Sequence, residues 1–367
     1  MLYSVYQQIK LDDRYTYKLL QLPTELLDII KTNKEPITLK SASNDHENHL
    51  VVCSDHKTWK LRQMNHSNSI SLLDNTNNNH NNKTYASCTD EPFDPSNKLV
   101  GFANTTYEYE LSPFKGIINK ANLPVFDSKF PDGNYAKISI DKLLEESAIS
   151  KCEFYDSWYA CGGCEVEGLA VILSDNLITE VLTMVITVLI AQGLDYNLSW
   201  FDLKSTFNLV HNENNDFTES MVTTVIHKFS GVKDGQFKLE NERIAQWFGI
   251  QTLAQSNLKL WKKQEFLIHW KSSLPEFYNV SLDLKNLYGH YCRPVEDRIR
   301  YVDASKLSSQ VSIRFTQLFQ AASLWDYHEF IPFIDKLVTP GKKVDSLIMK
   351  YARKKKVAKD KFIVVPR

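Results

Sequence analysis

The sequence predicts an α+β chain of several domains. Three observations carry that expectation. Short β-branched and aromatic runs crowd the first part of the chain. The later part holds amphipathic segments that recur in the order helix, helix, helix, strand. That order returns at a period of roughly sixty residues, the signature of a structural repeat. A chain of 367 residues is also too long for one small core and should divide into about two to four domains.

The first domain, 1–130, reads as a small β domain. Tyr17 to Leu22 is strand-like. Pro23 to Ile30 has Pro at a helix start and an apolar stripe behind it. Strands fit Ile37 to Lys40, Leu50 to Cys53, Thr58 to Arg62, Ser69 to Leu72, Leu99 to Ala103 and Tyr107 to Leu111. In the Thr58 strand, alternation sends Trp59 and Leu61 one way and Lys60 and Arg62 the other. The strand set is thin for a self-sufficient barrel, so open edges are expected to be paired or covered. Asparagine-rich 74–82 is a low-complexity loop inserted in this domain. Residues 131–173 read as a linker and helical adapter, beginning in the Pro- and Gly-bearing stretch Asn122 to Tyr135 and ending in the strand Leu169 to Leu173.

Three repeats follow, at 174–240, 241–305 and 306–367. The first has helices near Leu177 to Ala191, Trp200 to Val210 and Thr218 to Phe229, then the strand Gln236 to Leu239. The second has helices at Arg243 to Leu253 and Lys263 to Trp270, a short piece at Leu282 to Tyr288 and the strand Arg298 to Val302. The third is the clearest, with helices at Ser312 to Ala321, Tyr327 to Leu337 and Val344 to Arg353 and the strand Phe362 to Val365. Val344, Leu347, Ile348 and Tyr351 fall at i, i+3, i+4 and i+7, one face of a helix. Three helices and a strand in this order describe a winged helix, a helix-turn-helix variant whose last helix can enter a DNA groove.

Composition excludes several classes. Hydrophobic content of 43% and charged content of 24% are ordinary for globular protein. Met1 to Tyr15 lacks the apolar core of a secretory leader. The apolar run inside Leu177 to Ala191 lies between Glu180 and Asp195, too close together for the roughly 20 residues of a membrane span, so it reads as a buried helix. Six cysteines in a chain this long are no disulfide scaffold, and a reducing compartment is expected. Net charge is −1, but residues 306–367 carry 13 Lys and Arg against 5 Asp and Glu. A basic end on a near-neutral chain points to an acidic partner there.

Candidate chemistry is sparse. Cys161-Gly162-Gly163-Cys164 has the spacing of a redox or metal pair. The acidic Glu165-Val166-Glu167-Gly168 that follows is a poor helix start and would raise a thiol pKa, and a second ligand pair is missing. His46-Glu47-Asn48-His49 has the wrong spacing for a zinc protease, and neither a P-loop nor a nucleophile elbow is present. Trp247, Trp261, Trp270 and Trp325 fall in helical units as core residues. No catalytic residue, metal or cofactor is expected. The basic cluster Lys342, Lys343, Lys350, Arg353 to Lys356, Lys359, Lys361 and Arg367 reads as a nucleic-acid surface, with a solvated helix end and a nuclear-import run as alternatives. Helical spacing would place Lys343, Lys350 and Lys354 on one side of the last helix, with Arg353 beside them.

With these residues placed, the chain resembles the sister chromatid cohesion protein DCC family, a subunit of an RFC-like clamp loader. The resemblance lies in Leu19 to Leu22 with Glu25 to Ile30, in Asp55 to Gln63 and in His66 to Ser69. It continues in Ile244 to Gln251, Glu265 to Ser272 and Val344 to Arg353. It implies a non-catalytic nuclear adapter. The β domain would join the C-terminal tail of the large ATPase subunit and a small partner subunit in a composite triple barrel, with tandem winged helices following. It further implies docking on the catalytic subunit of the leading-strand DNA polymerase epsilon, loading or unloading of the PCNA ring, and DNA contact through the last winged helix at Lys343, Lys350, Arg353 and Arg367. The asparagine tract and the cysteine pair are not family features. A free-standing winged-helix regulator and a thiol enzyme at Cys161 and Cys164 are the alternative readings.

Overall fold

Alternating apolar side chains and a single amphipathic helix build the first sheet. The structure, a computed structural model, describes residues 4–7, 16–44, 47–75, 98–255, 259–338, 343–359 and 361–367. Most of the asparagine tract, together with His46 and Lys342, lies outside the described residues. The chain divides into two compact units. One comprises Met1–Leu123, Asn134–Trp158 and Glu167–Ala170; the other comprises Pro124–Gly133, Tyr159–Val166 and Val171–Arg367.

In the first unit the elements are β1 (Ser4–Gln7), β2 (Leu20–Gln21), α1 (Thr24–Thr32), β3 (Thr38–Asn44), β4 (Glu47–Cys53), β5 (Thr58–Asn75) and β6 (Lys98–Pro113). The sheet runs β1-β6-β5-β4-β3, with β2 also on β6. Alternation along β4 covers both of its faces. Val52 packs with Leu26 of α1, Trp59 and Leu111, while Val51 and Cys53 pack with Ala148. Trp59 and Leu61 fall in the same cluster, as their alternation predicts. Among the described residues the sheet is open and no barrel closes.

The expected pairs of short strands are each one long strand. Thr58 to Arg62 and Ser69 to Leu72 both belong to β5; Leu99 to Ala103 and Tyr107 to Leu111 both belong to β6. The polar stretch Asn65-His66-Ser67-Asn68 resembles a turn in sequence. Here it continues an exposed strand past a bulge between Asn65 and Ile70, because ladder hydrogen bonds come from the backbone whatever the side chains are. Helices α2 (Ile140–Glu146) and α3 (Lys151–Ala160) form the adapter. Lys40 donates to the carbonyls of Leu144 at 2.8 Å and Ile149 at 3.1 Å, and Thr58 donates to Glu153 at 2.6 Å, tying the adapter to the sheet.

The expected linker holds a strand of its own. β7 (Val125–Phe126) pairs in parallel with β9 (Leu169–Leu173), whose hairpin partner is β8 (Gly163–Val166). Phe126 is buried in the core of the second unit. Next come α4 (Asp175–Ala191), α5 (Leu203–Glu213), α6 (Glu219–Phe229), β10 (Ser230–Lys233) and β11 (Gln236–Leu239). Ser174, Asp202 and Thr218 cap the three helices through side-chain acceptors. α4 buries eight apolar residues around much of its circumference, which is the interior helix that its composition implies.

The pattern recurs twice. α7 (Asn241–Gln255), β12 (Trp261–Lys262), α8 (Lys263–Ser273) and a 3₁₀ turn at Leu284–Leu287 lead to β13 (Tyr291–Val295) and β14 (Arg298–Tyr301). Then α9 (Val311–Ala321), β15 (Trp325–Asp326), α10 (Tyr327–Ile334) and α11 (Val344–Tyr351) lead to β16 (Ala352–Ala358) and β17 (Lys361–Pro366). Each repeat ends in a hairpin where one strand is expected from sequence. In each, a buried aromatic just before the second helix pairs with that hairpin: Phe201 with Phe237, Trp261 with Ile299, and Trp325 with Val364. The first two repeats share one continuous core, and the third has its own around Phe315, Trp325, Phe330 and Phe333. Trp270 lies across α7 and donates its indole N–H to the Ala245 carbonyl at 2.8 Å. Gly249 makes room for it, since a Cβ there would lie 2.6 Å from the indole.

Candidate nucleic-acid interface

The last repeat positions its basic residues on a short helix and the hairpin that follows it. In α11, Ile348 is fully buried and Val344, Leu347 and Tyr351 pack beside it, the face that the spacing predicts. The helix stops at Tyr351, and Ala352 is already extended at φ −145° and ψ −176°. Arg353 and Lys354 are therefore residues of β16, and the single helix side expected for Lys343, Lys350 and Lys354 does not form. Lys343 is the residue before the helix, Lys350 sits in its last turn, and Lys354 is on the strand. The physical reason is charge. Continuing the helix would stack Lys350 against Arg353 and Lys354 at i+3 and i+4, where like charges repel. A strand sends alternate cations to opposite faces and gains the apolar partner Phe362 to Val365.

Alternation gives the cations different roles. Lys354 lies opposite Val364, which is buried, so it faces inward. Its ammonium sits 3.0 and 3.1 Å from the two Asp345 oxygens and 3.7 Å from the centre of the Tyr327 ring, with Phe362 also beneath it. The Tyr327 hydroxyl donates to the same carboxylate at 2.7 Å. Hydrogen bonds from Tyr327 and Lys354 hold the Asp345 carboxyl below its ordinary value. Partial burial works against the Lys354 ammonium, but the hydrogen bond to Asp345 and the Tyr327 contact outweigh it and hold its pKa above the ordinary value. Arg353 and Lys355 take the outward face, and Lys356, Lys359 and Lys361 are exposed along and beyond the hairpin. Arg367, also exposed, donates to the Met349 carbonyl at 2.7 Å and so satisfies the last turn of α11. Lys350 lies 5.3 Å from the Tyr351 ring.

Two polar sites went unseen in the sequence. Arg314 spends its guanidinium on the carbonyls of Ser308, Leu307 and Phe333 at 2.7 to 2.9 Å, so one cation of the basic end is structural. Glu329 on α10 is 3% exposed and accepts from Arg293 at 2.6 and 2.8 Å and from the Tyr291 hydroxyl at 2.8 Å. Its signal was there: a carboxylate directly before the apolar run Phe330 to Ile334 requires a buried partner.

The two cysteines lie on either side of a turn that leads into a strand. Gly162 turns the chain at φ +80°, and Cys164 lies in β8 instead of at a helix start. Its thiol is buried 3.3 Å from the Ser220 hydroxyl, and burial pushes its pKa up, away from the thiolate that redox or metal chemistry uses.

Comparison with known proteins points one way. A family model described as sister chromatid cohesion protein Dcc1 matches residues 17–334. The Saccharomyces cerevisiae protein named sister chromatid cohesion protein DCC1 is 32% identical over 380 aligned positions, covering 96% of this chain and 97% of the yeast protein. A Dictyostelium discoideum protein named probable sister chromatid cohesion protein DCC1 is 22% identical, covering 92% of this chain and 90% of its own length.

Proposed function

The chain belongs to the sister chromatid cohesion protein Dcc1 family, and on that premise we propose that it is a non-catalytic adapter of an RFC-like PCNA clamp loader in the nucleus. In this reading the open sheet of the first unit receives strands from the large ATPase subunit and the small barrel subunit, completing a composite barrel. The motive is β3, which among the described residues is an edge strand with no further strand paired to it and carries Leu39 at 63% exposure, an apolar edge that free monomers ordinarily protect. The repeats act as tandem winged helices, a reading supported by their order of three helical segments and a terminal hairpin. Docking to the catalytic subunit of polymerase epsilon rests on the family alone.

The single observation that carries the DNA part of this function is the set of exposed cations Lys343, Lys350, Arg353 and Arg367 on one small unit. They lie at the two ends of α11 and on the hairpin that follows it. Such contacts position a protein on the phosphate backbone and carry little sequence preference. Neutralising roughly four to six phosphates gives a slope of about −4 to −5 in log K against log[salt] on duplex DNA. Changing the four residues to Glu should flatten that slope and weaken binding equally on every sequence. It should leave clamp-loader subunits in the affinity-purified complex, identified by mass spectrometry. Parent-like DNA binding by the folded quadruple variant would reduce the basic end to a solvated surface. Loss of those subunits from the parent purification would remove the adapter reading.

A further inference from the structure

We propose that the third repeat also holds an unpaired nucleobase, in an open groove beside the phosphate-binding cations, so that it prefers single-stranded DNA to a bare phosphate chain. This inference rests on the DNA-binding reading above and adds a recognition element to it. The groove has a volume of about 470 Å³. Its aromatic surface, the floor, comes from the half-buried Phe319 and Tyr351, set against the buried Phe315, and Pro366 also lines it. Phe319 is backed by Phe330 at 5.7 Å and 22° between planes, and Phe315 lies 5.3 Å from Tyr351. The floor is thus braced by the core and is not free to collapse into the space above it.

The wall is polar. Ser312, Thr316 and Gln320 follow one another at i, i+4 and i+8 on α9 and line the groove as a single stripe. The Gln320 amide makes no hydrogen bond among the described residues and can meet the donor and acceptor edge of a base. Lys350 stands 5.3 Å from the Tyr351 ring, and Arg367 follows Pro366 directly, so positive charge borders the aromatic floor. Among the described residues no carboxylate lines the groove. An aromatic platform, a hydrogen-bonding wall and adjoining cations match a nucleotide, whose base has a π face, a polar edge and an attached anion. An apolar peptide helix would leave the polar stripe and the cations unused. Bases paired inside a duplex keep their faces stacked, so only an unpaired strand can use the floor.

The test compares three probes on the full chain by fluorescence anisotropy at moderate salt: oligo-dT, an abasic oligomer of the same phosphate count, and a duplex. The parent should bind oligo-dT about tenfold more tightly than the abasic chain, within the range of one base stacked on an aromatic. Gln320→Ala, on the surface, and Phe319→Leu, checked by thermal melting, should bring that ratio toward one. Their duplex affinity and salt slope should stay unchanged. Equal binding of dT and abasic chains by the parent, with duplex binding intact, overturns this inference and leaves the proposed function standing. A dT preference that survives both substitutions also overturns it, by placing the base elsewhere, as does displacement of dT from the groove by an acidic aromatic peptide but not by a mononucleotide. Failure to bind any of the three DNAs would remove the DNA-binding part of the proposed function together with the inference.

Discussion

Removing the Glu329 carboxylate is the most informative single perturbation of the second unit. Its side chain is nearly inaccessible, and two groups depend on it: the Arg293 guanidinium and the Tyr291 hydroxyl, which is itself fully buried. Stranding one partner of a buried ion pair costs about 3–5 kcal/mol. Here the Arg293 side chain is 37% exposed, so water recovers part of its charge and the cost falls below that range, to about 2–3 kcal/mol. Leaving the Tyr291 hydroxyl without an acceptor adds about 1 kcal/mol. Glu329→Ala should therefore destabilise by about 3–4 kcal/mol. Glu329→Gln keeps one acceptor oxygen and should cost about half as much. Urea unfolding followed by tryptophan fluorescence reads the change. A double-mutant cycle with Arg293→Met should return a coupling of at least 1 kcal/mol in magnitude, as direct contacts do. A Glu329→Ala protein within about 0.5 kcal/mol of the parent would refute the reasoning, because a surface substitution does no more than that.

Gly249→Ala forces a Cβ to within 2.6 Å of the Trp270 indole and 2.8 Å of Leu287, so the variant should lose about 1–3 kcal/mol, read as a lowered melting temperature. Asp345 has a depressed carboxyl pKa, so its contribution is complete above the unfolded value and is lost as pH falls through the lower folded value. The melting gap between parent and Asp345→Asn should stay constant at neutral pH and close only below about pH 4. Cys161→Ser combined with Cys164→Ser should leave complex assembly unchanged, and one zinc per chain in purified parent protein would contradict the buried, protonated state of Cys164.

Periodicity carried much of the fold. The faces of α4 and α11 and the Trp59–Leu61 alternation were readable because apolar spacing reports directly on burial. Strand continuity was not readable. Asn65 to Asn68 gives no apolar signal, yet the β5–β6 ladder passes through the region on backbone bonds and a bulge. The extra strand of each terminal hairpin escaped for a related reason. β16 is mostly cations, and its strand character comes from β17 across the ladder. The buried aromatic before each second helix, at 201, 261 and 325, was visible as a residue but not as a recurring pairing position. At the basic end, composition supplied the sign of the charge. Which cations reach solvent was decided by where α11 stops, a matter of a single residue's backbone angles.

The clamp around Lys354 bears on how this region can drift between related proteins. Lys354 and Lys355 are neighbours of identical chemistry, yet one lies on Asp345 and the Tyr327 ring while the other faces outward. Over evolutionary time position 355 can exchange cations freely, or shift its charge to 356 or 353, provided the total field survives. Position 354 has no such freedom: losing its charge removes a hydrogen-bond donor from Asp345, and losing Asp345 removes the carboxylate that accepts from an ammonium held over two aromatic rings. Substitutions at 345 and 354 should therefore arise together, while the cations around them turn over independently.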